Sequence, residues 1–252
     1  MASIINASTT STSGLVQTAD ASGVLQLQSN GVTGLTVGTG GLLTAANGMV
    51  FSSMTLGTAT AGKLEYDGSV PYFTPLGTQR GVIPGMQYFR LNSTVVGVNA
   101  TGAQNVLGVG VTLSSSTVYA FEAYVNQSKT AGTTSHTVSF LFGGTATINN
   151  IGYTIMRSTS ATSFTDTAGA AQPWFYSTVL TSTTVTGART NATYYDQTMM
   201  KGTISVSTGG TFIPQYSLSA APGGAYTTAA GSYFLIYPIG AAGANVNVGT
   251  WA

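Results

Sequence analysis

Charge is what this chain has least of. Seven Lys or Arg and six Asp or Glu make up 5% of its 252 residues, where an ordinary domain carries about 25%. The net charge of +1 leaves no basic footprint for nucleic acid. Cysteine is absent, which excludes a disulfide framework and any thiolate metal site. His136 is the single histidine, so one chain cannot build a multi-histidine metal centre. Long apolar runs are missing as well. The most apolar stretch, Tyr233 to Ala244, is short and contains Pro238 and Gly240, so no segment reads as a membrane span. The first twenty residues hold neither a basic region nor a long apolar block and do not read as a secretory signal.

The place of the missing charges is taken by Ser and Thr, roughly a quarter of the chain, and by 33 Gly. A surface wetted by hydroxyls and amides has little like-charge repulsion to keep copies apart, which points to a part of an assembly. Disorder is not the reason for this composition. Hydrophobic residues make up 43%, with 13 Tyr, 10 Phe and 2 Trp, enough to bury a large core. Val, Ile, Thr, Tyr and Phe favour strands. No three-turn stretch carries apolar residues at helical spacing between caps. Five Asn-x-Ser/Thr sequons, at Asn6, Asn92, Asn99, Asn126 and Asn191, are expected by chance in so hydroxyl-rich a chain.

Three regions follow one another. Residues 1–57 open with a small, polar arm interrupted by Ile4 and Ile5. Short alternating strands come next, with Leu25, Leu27, Leu35 and Val37 on a thin apolar face and turns at Ser29-Asn30-Gly31 and Asn47-Gly48. Asn-Gly supplies the positive-φ residues of a tight hairpin. Sheets this small need a partner surface, which intertwined or stacked copies would supply. Residues 58–85 form a junction broken by Pro71, Pro75 and Pro84. Lys63, Glu65, Asp67, Arg80 and Arg90 gather in and just beyond it. In an extended segment Lys63, Glu65 and Asp67 share one face, which reads as ion pairs at a junction rather than a cation cage of six to eight oxygens.

Residues 86–252 read as one all-β domain of the sandwich kind, with candidate strands at Tyr88–Val96, Asn105–Leu113, Val118–Val125, His136–Phe142, Ile148–Met156, Trp174–Leu180, Met199–Val206, Thr211–Leu218 and Ser232–Ile239. Tyr119, Phe121 and Ala123 alternate with Val118, Ala120, Glu122 and Tyr124; Phe212, Pro214 and Tyr216 alternate with Ile213, Gln215 and Ser217. Both faces carry aromatics. A solitary sandwich needs only one apolar face per sheet, so the second face predicts packing against neighbouring subunits.

Little here suggests catalysis. His136 lies in a strand beside Ser and Thr and reads as structural. Carboxylates are scattered, although Glu122 and Asp196 could meet across strands as a glycosidase pair does. The Gly-rich VGTGG at Val37–Gly41 matches no phosphate-binding fingerprint. The expectation is a protein without enzymatic activity, metal or cofactor. Tyr194, Tyr195 and Tyr226 sit in or beside turn-rich segments and are candidates for surface recognition. Trp174-Phe175-Tyr176 reads as core or subunit interface.

Two passages carry a resemblance. GKLEYDGSVPYFTP (Gly62–Pro75) followed by QRGVIPGMQYFRL (Gln79–Leu91) resembles the join between stalk and C-terminal domain in structural proteins of tailed bacteriophages. The ending GTFIPQYSLSAAPGGAYTTAAGSYFLIYPIG with NVGTWA is similar to the last strands of their compact C-terminal domains, and LQLQSNGVTGLTV is similar to phage fibre sequences. The resemblance implies a homotrimer whose short N-terminal strands interlock, followed by a jelly-roll β-sandwich like that of tumour necrosis factor. It implies a virion structural protein, assembled in the host cytoplasm. The station is either a capsid decoration, cement or head-fibre protein or a short tail fibre. A long shaft and heptads are lacking, which favours decoration, with the major capsid protein or another virion protein as partner. The tail-fibre reading would make a host cell-surface glycan or protein the partner.

Overall fold

A computed structural model describes residues 22, 24–29, 32–158, 174–243 and 245–251. Ile4 and Ile5 lie outside them. Among the described residues there are strands and no helices, and no helix long and apolar enough to cross a membrane. Two compact units are formed, Met1–Ser52 and Ser53–Ala252.

The first unit is an antiparallel sheet of β1 (Leu25–Ser29), β2 (Val32–Val37) and β3 (Leu43–Ala45). Its register sets Leu25 opposite Val37, Leu27 opposite Leu35, and Leu35 and Val37 opposite Ala45 and Leu43. Alternation therefore puts all six on one face, and Leu25, Leu27 and Leu43 remain exposed. Beyond β3, residues 49–56 are irregular backbone.

The second unit begins before the expected junction because residues 53–57 are already bonded to it. The Met54 amide donates to Tyr66 O and the Gly57 amide to the Glu65 carboxylate. Strands β4 (Leu64–Tyr66), β5 (Pro71–Phe73) and β6 (Gly81–Val82) make a small antiparallel sheet. Asp67 shapes the β4–β5 turn: Oδ1 accepts from the Ser69 and Val70 amides, Oδ2 from the Tyr72 hydroxyl. Gly68 supplies the positive φ of 97° that this turn requires.

Two larger sheets follow. One holds β7 (Gln87–Arg90), β8 (Val95–Val96), β11 (Thr117–Lys129), β13 (Thr147–Ser158), β14 (Trp174–Ser177), β16 (Tyr194–Thr208), β18 (Thr227–Thr228) and β19 (Tyr233–Ala241). The other holds β9 (Gln104–Asn105), β10 (Val111–Leu113), β12 (Val138–Gly143), β15 (Thr183–Thr184) and β17 (Gly210–Leu218). Every pairing is antiparallel. Two expected strands divide: Tyr88–Val96 breaks at residues 91–94, and Asn105–Leu113 at 106–110, where Gly108 has a φ of 73°.

The sheets meet face to face, as in a sandwich. Tyr119, Phe121, Ala123 and Val125 of β11 are buried, as are Phe212, Pro214, Tyr216 and Leu218 of β17. Phe121 lies 5.4 Å from Phe142 and 6.1 Å from Phe212, ring to ring across the interior, and Phe142 stacks on Phe212 at 4.5 Å. Gly202 faces both Phe121 and Tyr153 in register. A Cβ there would come within 2.4 Å of the Tyr153 Cβ, so glycine makes room for the aromatic centre.

Candidate functional site

Three places hold what this sparsely charged chain has to work with: the junction ions, the outer face of the larger sheet, and a buried polar end of the sandwich.

At the junction one carboxylate gathers two cations. Glu65 is buried on β4; Lys63 Nζ lies 2.7 Å from Oε1 and Arg80 Nη2 2.7 Å from Oε2. The Lys63 ammonium, joined by the Gly57 amide and Arg80, outweighs burial and holds the Glu65 carboxyl below its usual range. Lys63, Glu65 and Arg80 thus come together, whereas two neighbours do not. Asp67 is turned into its own hairpin and forms no ion pair among the described residues, because the free amides after Gly68 offer nearer partners. Arg90 is on β7, where Nη1 donates to Asn92 Oδ1 at 2.7 Å. Among the described residues no three His, Asp or Glu side chains converge as a metal site would require.

The outer face of the larger sheet is apolar where water would favour polar groups. Register aligns Trp174, Met156, Met199, Tyr124 and Tyr233 across β14, β13, β16, β11 and β19 in one row. The next row sets Tyr176, Thr154, Lys201, Glu122, Leu235 and Tyr88 side by side, reaching β7. Trp174 is 62% exposed and Tyr176 72%. Tyr88 stacks on Tyr233 at 5.3 Å, and the Tyr233 hydroxyl donates to Glu122 Oε1 at 2.7 Å. That bond, with burial second, pushes the Tyr233 phenol up to about 12. A shallow depression of about 350 Å³ opens between Trp174, Met156, Met199, Glu122 and Lys201. Of the Trp174-Phe175-Tyr176 trio only Phe175 packs on the core; the other two stand outward on the edge strand.

The third place was not legible in the sequence. Asp196, on the inner face of β16, accepts from Arg157 Nη2 at 2.7 Å and from both terminal nitrogens of Arg189. Burial alone would raise this carboxyl, but the charge of Arg157 and the bonds from Arg189 hold it below its usual range. Lys129 is buried too, its Nζ donating to the carbonyls of Ala131, Gly132 and Asn191. Burial, then Arg189, lowers its pKa. Among the described residues buried Arg157 Nε and the Gln127 amide find no hydrogen-bond partner. One clue was available: Arg157 is in phase with buried Tyr153 and Ile155, and Lys129 with Val125 and Gln127.

These placements correct two expectations. Tyr226 is not a surface residue; it is fully buried, its hydroxyl 2.9 Å from His136 Nε2. Tyr194 is half-buried, its ring under the guanidinium of Arg189 at 4.6 Å. Tyr195 alone of the three turns outward, 55% exposed beside a depression of about 380 Å³ lined by Tyr124, Asn126, Ser128 and Gln197. Glu122 and Asp196 point to opposite faces of the sheet, because Glu122 faces Lys201 in the register and Asp196 faces Gln127. They share no cleft. No protein-family model and no curated protein sequence matches the chain.

Proposed function

We propose that the chain is a structural protein of a tailed-bacteriophage virion, a homotrimer that decorates the capsid. In this reading residues 1–57 bind the shell, and the sandwich, a jelly roll, projects outward. The observation that carries the trimer is the aromatic and methionine band on the outer face of the larger sheet. Exposed contiguous apolar patches on soluble proteins mark interaction sites, and three copies around an axis would cover this one. The uncovered Leu25, Leu27 and Leu43 face of the first unit supports the same reading. The phage assignment rests on the resemblance of Gly62–Leu91 and of the ending to virion proteins.

Light scattering on the purified full chain tests the assembly: the expected particle has three times the 25.6 kDa chain mass. Met199→Lys, which sets a charge in the middle of the band, should shift it towards the monomer. A wild-type chain that stays monomeric at high concentration would end this reading. Imaging of virions carrying the labelled protein then places it, with copies spread over the head expected for decoration. The depression beside Tyr195, where two phenols are flanked by Asn126, Gln197 and Ser128, favours a second reading. A short tail fibre could hold a host glycan there, and label confined to a few copies at the tail would select it.

A further inference from the structure

The polar end of the sandwich is closed by hydrogen bonds that pass through the only histidine of the chain. His136 is 1% exposed. Its backbone exchanges two bonds with Arg189, the His136 amide donating at 3.1 Å and the Arg189 amide returning at 2.8 Å. Both ring nitrogens are engaged as well. Nδ1 lies 2.8 Å from Thr134 O and Nε2 2.9 Å from the Tyr226 hydroxyl. A carbonyl only accepts, so Nδ1 carries the proton, and Nε2 of the neutral ring accepts from the Tyr226 O–H. The Tyr226 and Tyr194 rings close around the imidazole edge-on, at 5.7 and 6.4 Å.

A second proton has nowhere good to go. Nε2 would become a donor, and the Tyr226 hydroxyl would lose the acceptor for its own hydrogen. The charges facing the ring are unfavourable too. Lys129 from β11 and Arg189 from the segment before β16 act on it against Asp196, the one opposing carboxylate among the described residues, which is itself shared with Arg157 of β13. Among the described residues three buried cations and one carboxylate leave a positive excess here, and an imidazolium would add to it.

We propose that His136 is an acid-operated latch on this end of the sandwich. Neutral, it ties the segment around Thr134 to Arg189 and Tyr226. On taking a proton from water at Nε2 it breaks the bond from Tyr226, and the His136–Arg189 bridge opens while the aromatic centre around Phe121 stays closed. Burial foremost, and the nearby Lys129 and Arg189 charges, hold the His136 pKa below its ordinary 6.5, against the Thr134 bond and Asp196. The opened chain therefore binds the proton first. Stability present above about pH 6.5 is lost as pH falls towards the folded-state value.

Hydrogen exchange and proton NMR on the full chain test this between pH 7.5 and 5.0. With a single histidine and no cysteine, no other side chain of ordinary pKa titrates in that window. The imidazole should titrate below 6.5. Protection of the His136 and Arg189 amides, corrected for intrinsic exchange, should fall by up to about tenfold per pH unit, with Phe121 and Gly202 unchanged. His136→Gln, neutral throughout, should abolish the fall. Should that variant not fold, Tyr226→Phe, which removes the hydroxyl that favours the neutral ring, should raise the imidazole pKa. An imidazole titrating at or above 6.5 in the wild type overturns the latch, as does an equal loss of protection in His136→Gln.

Discussion

Glu65 at the junction and Asp196 inside the sandwich solve the same problem in different surroundings. Each is a buried carboxylate held by two cations: Glu65 by Lys63 and Arg80, Asp196 by Arg157 and Arg189. The partners of Glu65 keep contact with water, with side chains 33% and 19% exposed. Arg157 is wholly enclosed and Arg189 nearly so. Water screens the first cluster and lets a lost partner be replaced by solvent. The second has only protein around it, so its charges depend on one another. The two clusters should therefore respond to mutation, salt and acid on different scales.

The largest expected effect is at Asp196. Asp196→Asn leaves Arg157, Arg189 and Lys129 buried without a counter-ion among the described residues. Breaking a buried pair in this way costs about 3–5 kcal/mol, readable as a drop in the urea midpoint. Acid should do the same to the wild type. The folded-state pKa of Asp196 lies below the usual 3.8, so its contribution is present above about pH 3.8 and disappears as pH falls through the lower folded value. An unchanged midpoint in Asp196→Asn would show that Asp196 and the arginines do not depend on one another.

Arg157→Met should do much less damage, less than half the shift of Asp196→Asn. It removes the unpaired Nε and one excess charge, leaves the two-pronged Arg189–Asp196 contact in place, and keeps an apolar chain against Phe140. Replacing ionic groups by apolar ones of similar size is often neutral. A loss as large as that of Asp196→Asn would mean that Arg157 rather than Arg189 is the principal counter-ion.

The two clusters also differ in how far sequence could reveal them. Lys63 and Glu65 are two residues apart on a short extended segment, so their shared face follows from strand alternation alone. Arg157 reaches Asp196 across 39 residues and Arg189 across seven, and the encounter depends on β13 and β16 pairing in one register. The same limit explains the rest. That Tyr119, Phe121 and Ala123 share one face was legible because period-two patterning is local; that this face is the core was not, because both faces carry aromatics. That Tyr226 turns inward was not, because its partner His136 is 90 positions away. Asp67 failed for the opposite reason: backbone amides two and three residues on competed for it more closely than any cation. The outer band was half legible, as a second aromatic face without its rows.

At the junction, Glu65→Gln should loosen the small β4–β6 sheet and leave the sandwich intact. Amide exchange at Gly57, whose N–H donates to Oε1 at 2.9 Å, should quicken while that at Phe121 does not. Uniform loss of protection in both places would show that the junction and the sandwich unfold together.

Lys63 carries the smallest expected effect. Its ammonium lies 2.7 Å from Glu65 Oε1 and also donates to Thr58 O at 3.3 Å, but a third of the side chain is in water. Arg80 stays on the other carboxylate oxygen, and the Gly57 amide stays on Oε1. Lys63→Met should therefore move the thermal midpoint slightly, and the difference from wild type should vanish in about 1 M salt, where the screening length is about 3 Å. The Asp196→Asn deficit should persist at that salt, because ions do not reach an enclosed pair. Equal salt sensitivity in the two variants would mean that water reaches Asp196 as it reaches Lys63.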